Sequence, residues 1–151
     1  MRSTGLVLLS VLTLPQLGCL VGSAVEAAKS QASGTVHLTS SGLGNRTLAP
    51  TDCASGERQV FFGADFLDDQ GITTRLIIDP TGTASLRLFA TDRPLDQGVV
   101  FHRQDCSRFE LSLDRTGWRI NDVYDLRVSL DFECRTASGD EAAGALAARC
   151  H

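Results

Sequence analysis

From Gly34 onward the apolar residues of this chain recur at every second position. Val36 and Leu38 open the pattern. Val60, Phe62, Ala64 and Phe66 share one parity, with Phe61 and Asp65 on the other. Ile72, Thr74, Leu76 and Ile78 follow, then Leu86, Leu88 and Ala90, then Phe109, Leu111 and Leu113. The longest run alternates Leu126, Val128, Leu130, Phe132 and Cys134 with Arg127, Ser129, Asp131 and Glu133. A helix needs its apolar residues three and four apart, whereas a strand with one wet face needs them two apart. The chain is therefore restricted to antiparallel sheet with one buried face.

The punctuation between the runs agrees. Asp68-Asp69-Gln70-Gly71, Asp79-Pro80-Thr81-Gly82, Arg115-Thr116-Gly117 and Ser138-Gly139-Asp140 each lie between two alternating segments. Glycine supplies positive φ there, and aspartate or proline sets the turn. Asn121-Asp122 is a further turn or bulge. Links this short join antiparallel neighbours. The count is seven or eight strands in the 118 residues from Gly34, which predicts an all-β domain over residues 35–151, either a β-sandwich or a small closed barrel. Glu141–Cys150 reads as the last strand, returning on Leu126–Cys134. Its alanines favour helix, but Gly144 opposes one, and the Gly139-Asp140 turn invites a hairpin.

The amino terminus has a different character. Arg2 precedes an apolar run, Leu6 to Leu14, closed by Pro15. The run is shorter than the roughly 20 residues a spanning helix needs. It suits the core of a secretory signal peptide. Leu17-Gly18-Cys19 then resembles the lipobox of bacterial lipoprotein precursors, with Gln16 where leucine is commonest. The resemblance covers the first 20 residues only. It implies a signal peptide at 1–18, cleavage at Gly18–Cys19, and diacylglycerol on Cys19. Cleavage further on, near Gly22-Ser23-Ala24 or Val25-Glu26-Ala27, would instead release a soluble exported protein. Residues 19–34, small and polar after the cysteine, read as a tether to the β-domain. As a flexible chain, residues 20–34 would span about 20–25 Å. Two or three acyl chains would hold the molecule on a membrane surface, since each buried CH₂ contributes about 0.8 kcal/mol.

Apart from Cys19, four cysteines remain: Cys53, Cys106, Cys134 and Cys150. An even number in an exported chain predicts two disulfides. In a regular hairpin Cys134 lies near the turn and Cys150 near the open end, roughly 23 Å away at strand rise. That is beyond disulfide reach. A strand at 141–150 therefore argues against Cys134–Cys150, and the pairing is otherwise open.

The chain carries 14 lysines and arginines against 18 acidic residues, a net charge of −4. Without a basic cluster, nucleic acid is a poor partner. Removing Arg2 with the leader leaves 13 positive against 18 negative side chains, or −5. His37, His102 and His151 are dispersed and have no metal-ligand spacing. Cys150-His151 suggests a thiol nucleophile only until strand alternation and the oxidising compartment are considered. Asp65, Asp68, Asp69 and Asp79 read as a solvated hairpin rim rather than a calcium loop. Nucleophile elbows, phosphate loops and dinucleotide fingerprints are absent from the sequence. No cofactor or metal is implied.

Phe61 and Phe89 fall off the main apolar face and either cover the far side of a sandwich or line a second apolar surface, a ligand cleft or a partner patch. Trp118 and Tyr124, each an apolar ring with a polar tip, are the candidates for an exposed binding edge. The expectation is a non-enzymatic envelope lipoprotein with a structural or protein-binding role. It would be membrane-held through its anchor and have an envelope protein as partner. The alternatives are a carrier whose strands enclose an apolar ligand such as a lipid, and a secreted hydrolase built from separate loops.

Overall fold

The alternating runs fold as strands, and their apolar parity faces inward. The computed structural model describes residues 29–151. It contains β1 (Gln31–Ser40), β2 (Gly44–Leu48), β3 (Asp52–Ser55), β4 (Phe62–Leu67), β5 (Ile72–Ile78), β6 (Ala84–Ala90), β7 (Val99–His102), β8 (Cys106–Ile120), β9 (Val123–Arg135) and β10 (Glu141–Cys150). One sheet has the order β2-β1-β10-β9-β8 and the other β3-β4-β5-β6-β7, all neighbours antiparallel. Two five-stranded sheets make a sandwich rather than a closed barrel.

The core lies between the sheets. Leu126, Val128, Leu130 and Phe132 of β9 face it with Val36 and Leu38 of β1. Phe66, Leu76, Leu86, Leu88 and Phe101 line the other side, each fully buried. The outward residues of β9, Arg127, Ser129 and Glu133, are exposed. Burial of these side chains, each contributing roughly 1.5–3 kcal/mol, is what holds the parity of every strand in place.

Several expectations are corrected. The described residues hold ten strands, where seven or eight were expected. β2, β3 and β7 are only four or five residues long, too short for alternation to register. β1 begins at Gln31, so Gln31–Gly34 belong to the sheet rather than to a tether. Arg115-Thr116-Gly117 is not a turn. It is an irregularity inside β8, where the register against β9 shifts between Arg115 and Arg119. The turn is Asn121-Asp122, both at positive φ (49° and 65°), the two-residue arrangement that matches strand twist. Val60 leaves the strand as well. It closes a 3₁₀ turn, Gly56–Gln59, with a left-handed backbone. Cys19, the leader and residues 19–28 lie outside the described residues.

The last segment is a strand, as expected. Ala142 pairs with Cys134 and Cys150 with Leu126. Gly144 is required there, because a Cβ would lie 2.1 Å from the carbonyl oxygen of Thr35 on β1. The four cysteines form Cys53–Cys150 and Cys106–Cys134, with Cα separations of 5.3 and 3.8 Å. The first bridge ties edge strand β3 of one sheet to β10 of the other. The second joins directly paired residues of β8 and β9. Two such bridges mark a domain that folds in an oxidising, exported compartment. No helix among the described residues is long and apolar enough to cross a membrane.

Candidate interaction surface

The β8–β9 ribbon is longer than its sheet. Gln31, Arg149 and Arg127 form one row across β1, β10 and β9. Beyond that row β10 adds only Cys150, opposite Leu126, and β8 and β9 then continue alone, closing at Ile120 opposite Val123. The ribbon tip thus projects about 13 Å past the start of β1, taking the four residues from Arg127 to Val123 at strand rise. Trp118 and Tyr124 lie on this projection, on either side of the turn. Trp118 is 68% exposed, a large value for an indole.

The irregularity in β8 sets where Trp118 emerges. The Thr116 hydroxyl donates to Asp125 Oδ2 at 3.0 Å and accepts from the Trp118 N–H at 3.3 Å. Asp125 is buried, and it also receives Arg149 Nε at 2.6 Å. One carboxylate therefore pins both the bulge and the end of β10.

Tyr124 is clasped by cations. The Arg115 and Arg119 guanidinium carbons lie 5.1 and 5.0 Å from its ring centroid. Arg115 is also 5.1 Å from the ring of Phe62. Glu57 locks the group together: it pairs with Arg115 Nη2 at 2.5 Å, and its other oxygen accepts the Tyr124 N–H at 3.1 Å. Arg119 pairs with Asp122 at 3.6 Å. Glu57, Val60, Phe61, Phe62, Arg115, Arg119, Asp122 and Tyr124 line an open cleft of 340 Å³. Val60 stands at its rim, 96% exposed, with φ at 66°. A β-branched residue in the left-handed region is a backbone outlier, and such strain concentrates at functional surfaces.

Of the residues gathered at this end, the sequence singles out Trp118 and Tyr124 and gives no such role to Glu57, Val60, Arg115 and Arg119. The one available signal was the apolar triplet Val60-Phe61-Phe62, which breaks alternation and so could not all be core.

The other singled-out residues are placed separately. Phe61 and Phe89 lie off the main face, as expected, and flank the Arg75 guanidinium at 4.6 and 5.3 Å. Asp65 pairs with Arg75, Asp68 accepts from the amides of Gln70 and Ile72, and Asp79 from those of Thr81 and Thr83. These carboxylates hold their own turns and strands and share no ligand. No group of three or more His, Cys, Asp and Glu placed to hold a metal ion occurs among the described residues.

A second, polar cleft of 480 Å³ is lined by His37, Asp105, Ser107, Glu133, Arg135 and Glu141 among others. Its groups are engaged elsewhere. His37 Nδ1 meets Thr47 Oγ1 at 3.2 Å, the Ser107 hydroxyl donates to the Glu133 carbonyl, Asp105 accepts the His102 N–H, and Arg135 pairs with Glu141. Among the described residues no hydrogen bond joins His37 to Ser107 or to a carboxylate, so the relay that activates a nucleophile is not assembled. His102 caps a 3₁₀ turn, and His151 meets Ser30 at 3.3 Å.

Comparison with protein-family models, with curated proteins and with solved structures finds no match to this chain.

Proposed function

We propose that the chain is an envelope lipoprotein, acylated at Cys19, whose β-sandwich works without catalysis as a contact module, with a structural or protein-binding role. The observation that carries the reading is the Trp118–Tyr124 end. An exposed indole and a tyrosine between two arginines lie on one projecting ribbon, and exposed Val60 stands at the rim of the cleft beside it. Trp, Tyr and Arg dominate the energetics of contact surfaces, and the ion pair of Glu57 with Arg115 and its hydrogen bond to the Tyr124 N–H preorganise the Tyr124 side of this one.

The rival readings have less support. A lipid carrier needs a chamber, but Phe66, Phe101, Phe132 and the leucines fill the space between the sheets. A hydrolase needs a coupled base and nucleophile, and the polar cleft keeps its candidates apart.

The test is the intact mass of protein taken from native membranes. The expected species begins at Cys19, carries two or three acyl chains and has four oxidised cysteines. A mature chain that retains Met1, unacylated and with reducible free thiols, would overturn the reading. A photo-crosslinking side chain in place of Trp118 should trap a contact in native membranes. Capture no greater than from a site on the outer face of β9 would remove the ribbon tip as the contact surface.

A further inference from the structure

We propose that the ribbon tip docks on the phospholipid interface of the membrane that holds the anchor. The inference rests on the lipoprotein reading and names the partner of the same surface.

The first ground is where the chain leaves the fold. Ser30 contacts His151, and the His151 carbonyl meets the Ser55 N–H that begins the 3₁₀ turn under Tyr124. β1 runs away from this edge, so its first residue, Gln31, lies at the end of the sheet from which the β8–β9 ribbon projects. Twelve residues separate the anchor from the fold, Cys19 to Ser30 inclusive, and twelve residues reach at most about 40 Å fully extended. An acyl group on Cys19 therefore keeps this edge of the sandwich near the bilayer, with the tip its leading part.

The second ground is chemistry. Indole and phenol rings favour the headgroup level of a bilayer, where one end of the ring is apolar and the other wet. Trp118, in the bulge, stands outside the cleft that Arg115, Arg119 and Tyr124 line, so a tip lying in the interface presents both the indole and the cleft to lipid. Charge sets the orientation. Without the leader the chain is net negative, at −5. The tip is not: Arg58, Arg115, Arg119 and Arg149 stand against Glu57, Asp122 and Asp125, and exposed Lys29 lies at the chain exit. The ion pairs leave Arg115 and Arg119 half exposed, at 52% each, with N–H groups free for lipid phosphate. A protein repelled elsewhere by anionic lipid approaches it with this edge.

Trp118 is the only tryptophan and so reports its own surroundings. The acylated full chain is reconstituted on vesicles of phosphatidylethanolamine and phosphatidylglycerol. Trp118 emission is expected to move to shorter wavelength, acrylamide quenching to fall severalfold against protein in lipid-free buffer, and brominated acyl chains to quench it. Arg115→Gln with Arg119→Gln should reduce these changes, and more on phosphatidylglycerol than on phosphatidylcholine vesicles. Circular dichroism serves as the check that the variant is folded. A second arm holds a Cys19→Ser chain to nickel-chelating lipid through an amino-terminal His tag, which separates docking from acylation. If mass shows acylation but Trp118 remains as open to acrylamide on vesicles as in buffer, in both arms, docking is wrong and the anchor stands. If the native protein is unacylated, the lipoprotein reading fails and the proposal fails with it. A Trp118-site crosslink to protein in native membranes, with Trp118 open on vesicles, would assign the surface to a protein partner instead.

Discussion

Arg75 and Asp65 meet through two parallel hydrogen bonds, Nε to Oδ1 and Nη2 to Oδ2, both 2.7 Å. The pair spans β4 and β5 at directly opposed positions. Its side chains are only 11% and 5% exposed, because the rings of Phe61 and Phe89 flank the guanidinium. Gln59 completes the frame, accepting from Arg75 Nη2 and donating to Asp65 Oδ2. An outward-facing ion pair has thereby become a covered one.

Removing one partner leaves the other charge covered and unpaired, which costs about 3–5 kcal/mol. Asp65→Ala or Arg75→Ala should lower the denaturation midpoint by that free energy in urea unfolding. Asp65→Leu combined with Arg75→Met should recover most of it, since an apolar pair of similar size suits two aromatic walls. A loss below about 1 kcal/mol for either single variant, the range of a surface pair, would show that the rings do not exclude water.

The two disulfides should differ in both contribution and access. Sequence separations of 97 and 28 residues correspond in the chain-entropy model to about 4.7 and about 3.6 kcal/mol. Replacing Cys53 and Cys150 by serine should therefore destabilise more than replacing Cys106 and Cys134. Reduction should run the other way. Cys53 and Cys150 are buried, whereas Cys106 is partly exposed. Timed alkylation with peptide mass mapping should find Cys106 and Cys134 labelled first. Labelling of Cys53 before Cys106 would contradict the packing.

The alternation of β9 is legible because it buries one continuous face over its 13 residues, whereas the alanines of β10 blur the pattern and Gly144 with the Gly139-Asp140 turn points to the strand. Cys134–Cys150 was correctly disfavoured, since paired strands carry those two residues to opposite ends of the hairpin. The actual pairing was not readable. Cys53 meets Cys150 only because edge strand β3 packs against β10 from the other sheet. Val60 misled for a local reason: it keeps the parity of Phe62, Ala64 and Phe66, yet the 3₁₀ turn before it rotates it out to solvent. Arg115-Thr116-Gly117 resembles a turn in composition, but Asp125 holds it within the strand. Trp118 and Tyr124 stood out as amphipathic rings. The support that Tyr124 receives from Glu57, 67 residues away, has no local signature.

Acid should loosen two hairpin turns first. Hydrogen bonds from the Thr81 hydroxyl, then from the Thr83 amide, hold Asp79 below the ordinary carboxylate pKa. The Ser138 hydroxyl, followed by Ser40, does the same for Asp140. A carboxylate with a depressed folded pKa contributes stability that is present above its unfolded value of about 3.9 and is lost as pH falls through the folded value. Between those limits the unfolded chain binds more protons, so stability rises with pH. Asp79→Asn with Asp140→Asn should flatten the urea-midpoint profile below about pH 4 and leave its shape near neutrality unchanged. An unaltered acid limb would assign acid sensitivity to other carboxylates.

Val60→Gly should stabilise the protein. Val60 sits at φ 66° with its side chain free of packing, at 96% exposure. The left-handed conformation costs an L-residue with a Cβ roughly 1–2 kcal/mol. Glycine adopts it without that cost but loses about 0.5–1 kcal/mol through the greater freedom of its unfolded chain. The balance is a gain of up to about 1 kcal/mol, read as a higher urea midpoint at unchanged slope. Val60→Ile keeps the branched carbon and the strain, so it should leave the midpoint where it is. If glycine lowers the midpoint instead, the Val60 side chain makes a contact in the folded domain that its exposure denies. The same pair of variants separates strain from surface chemistry at the ribbon tip. Isoleucine should preserve the protection of Trp118 on vesicles, and glycine, although more stable, should weaken it.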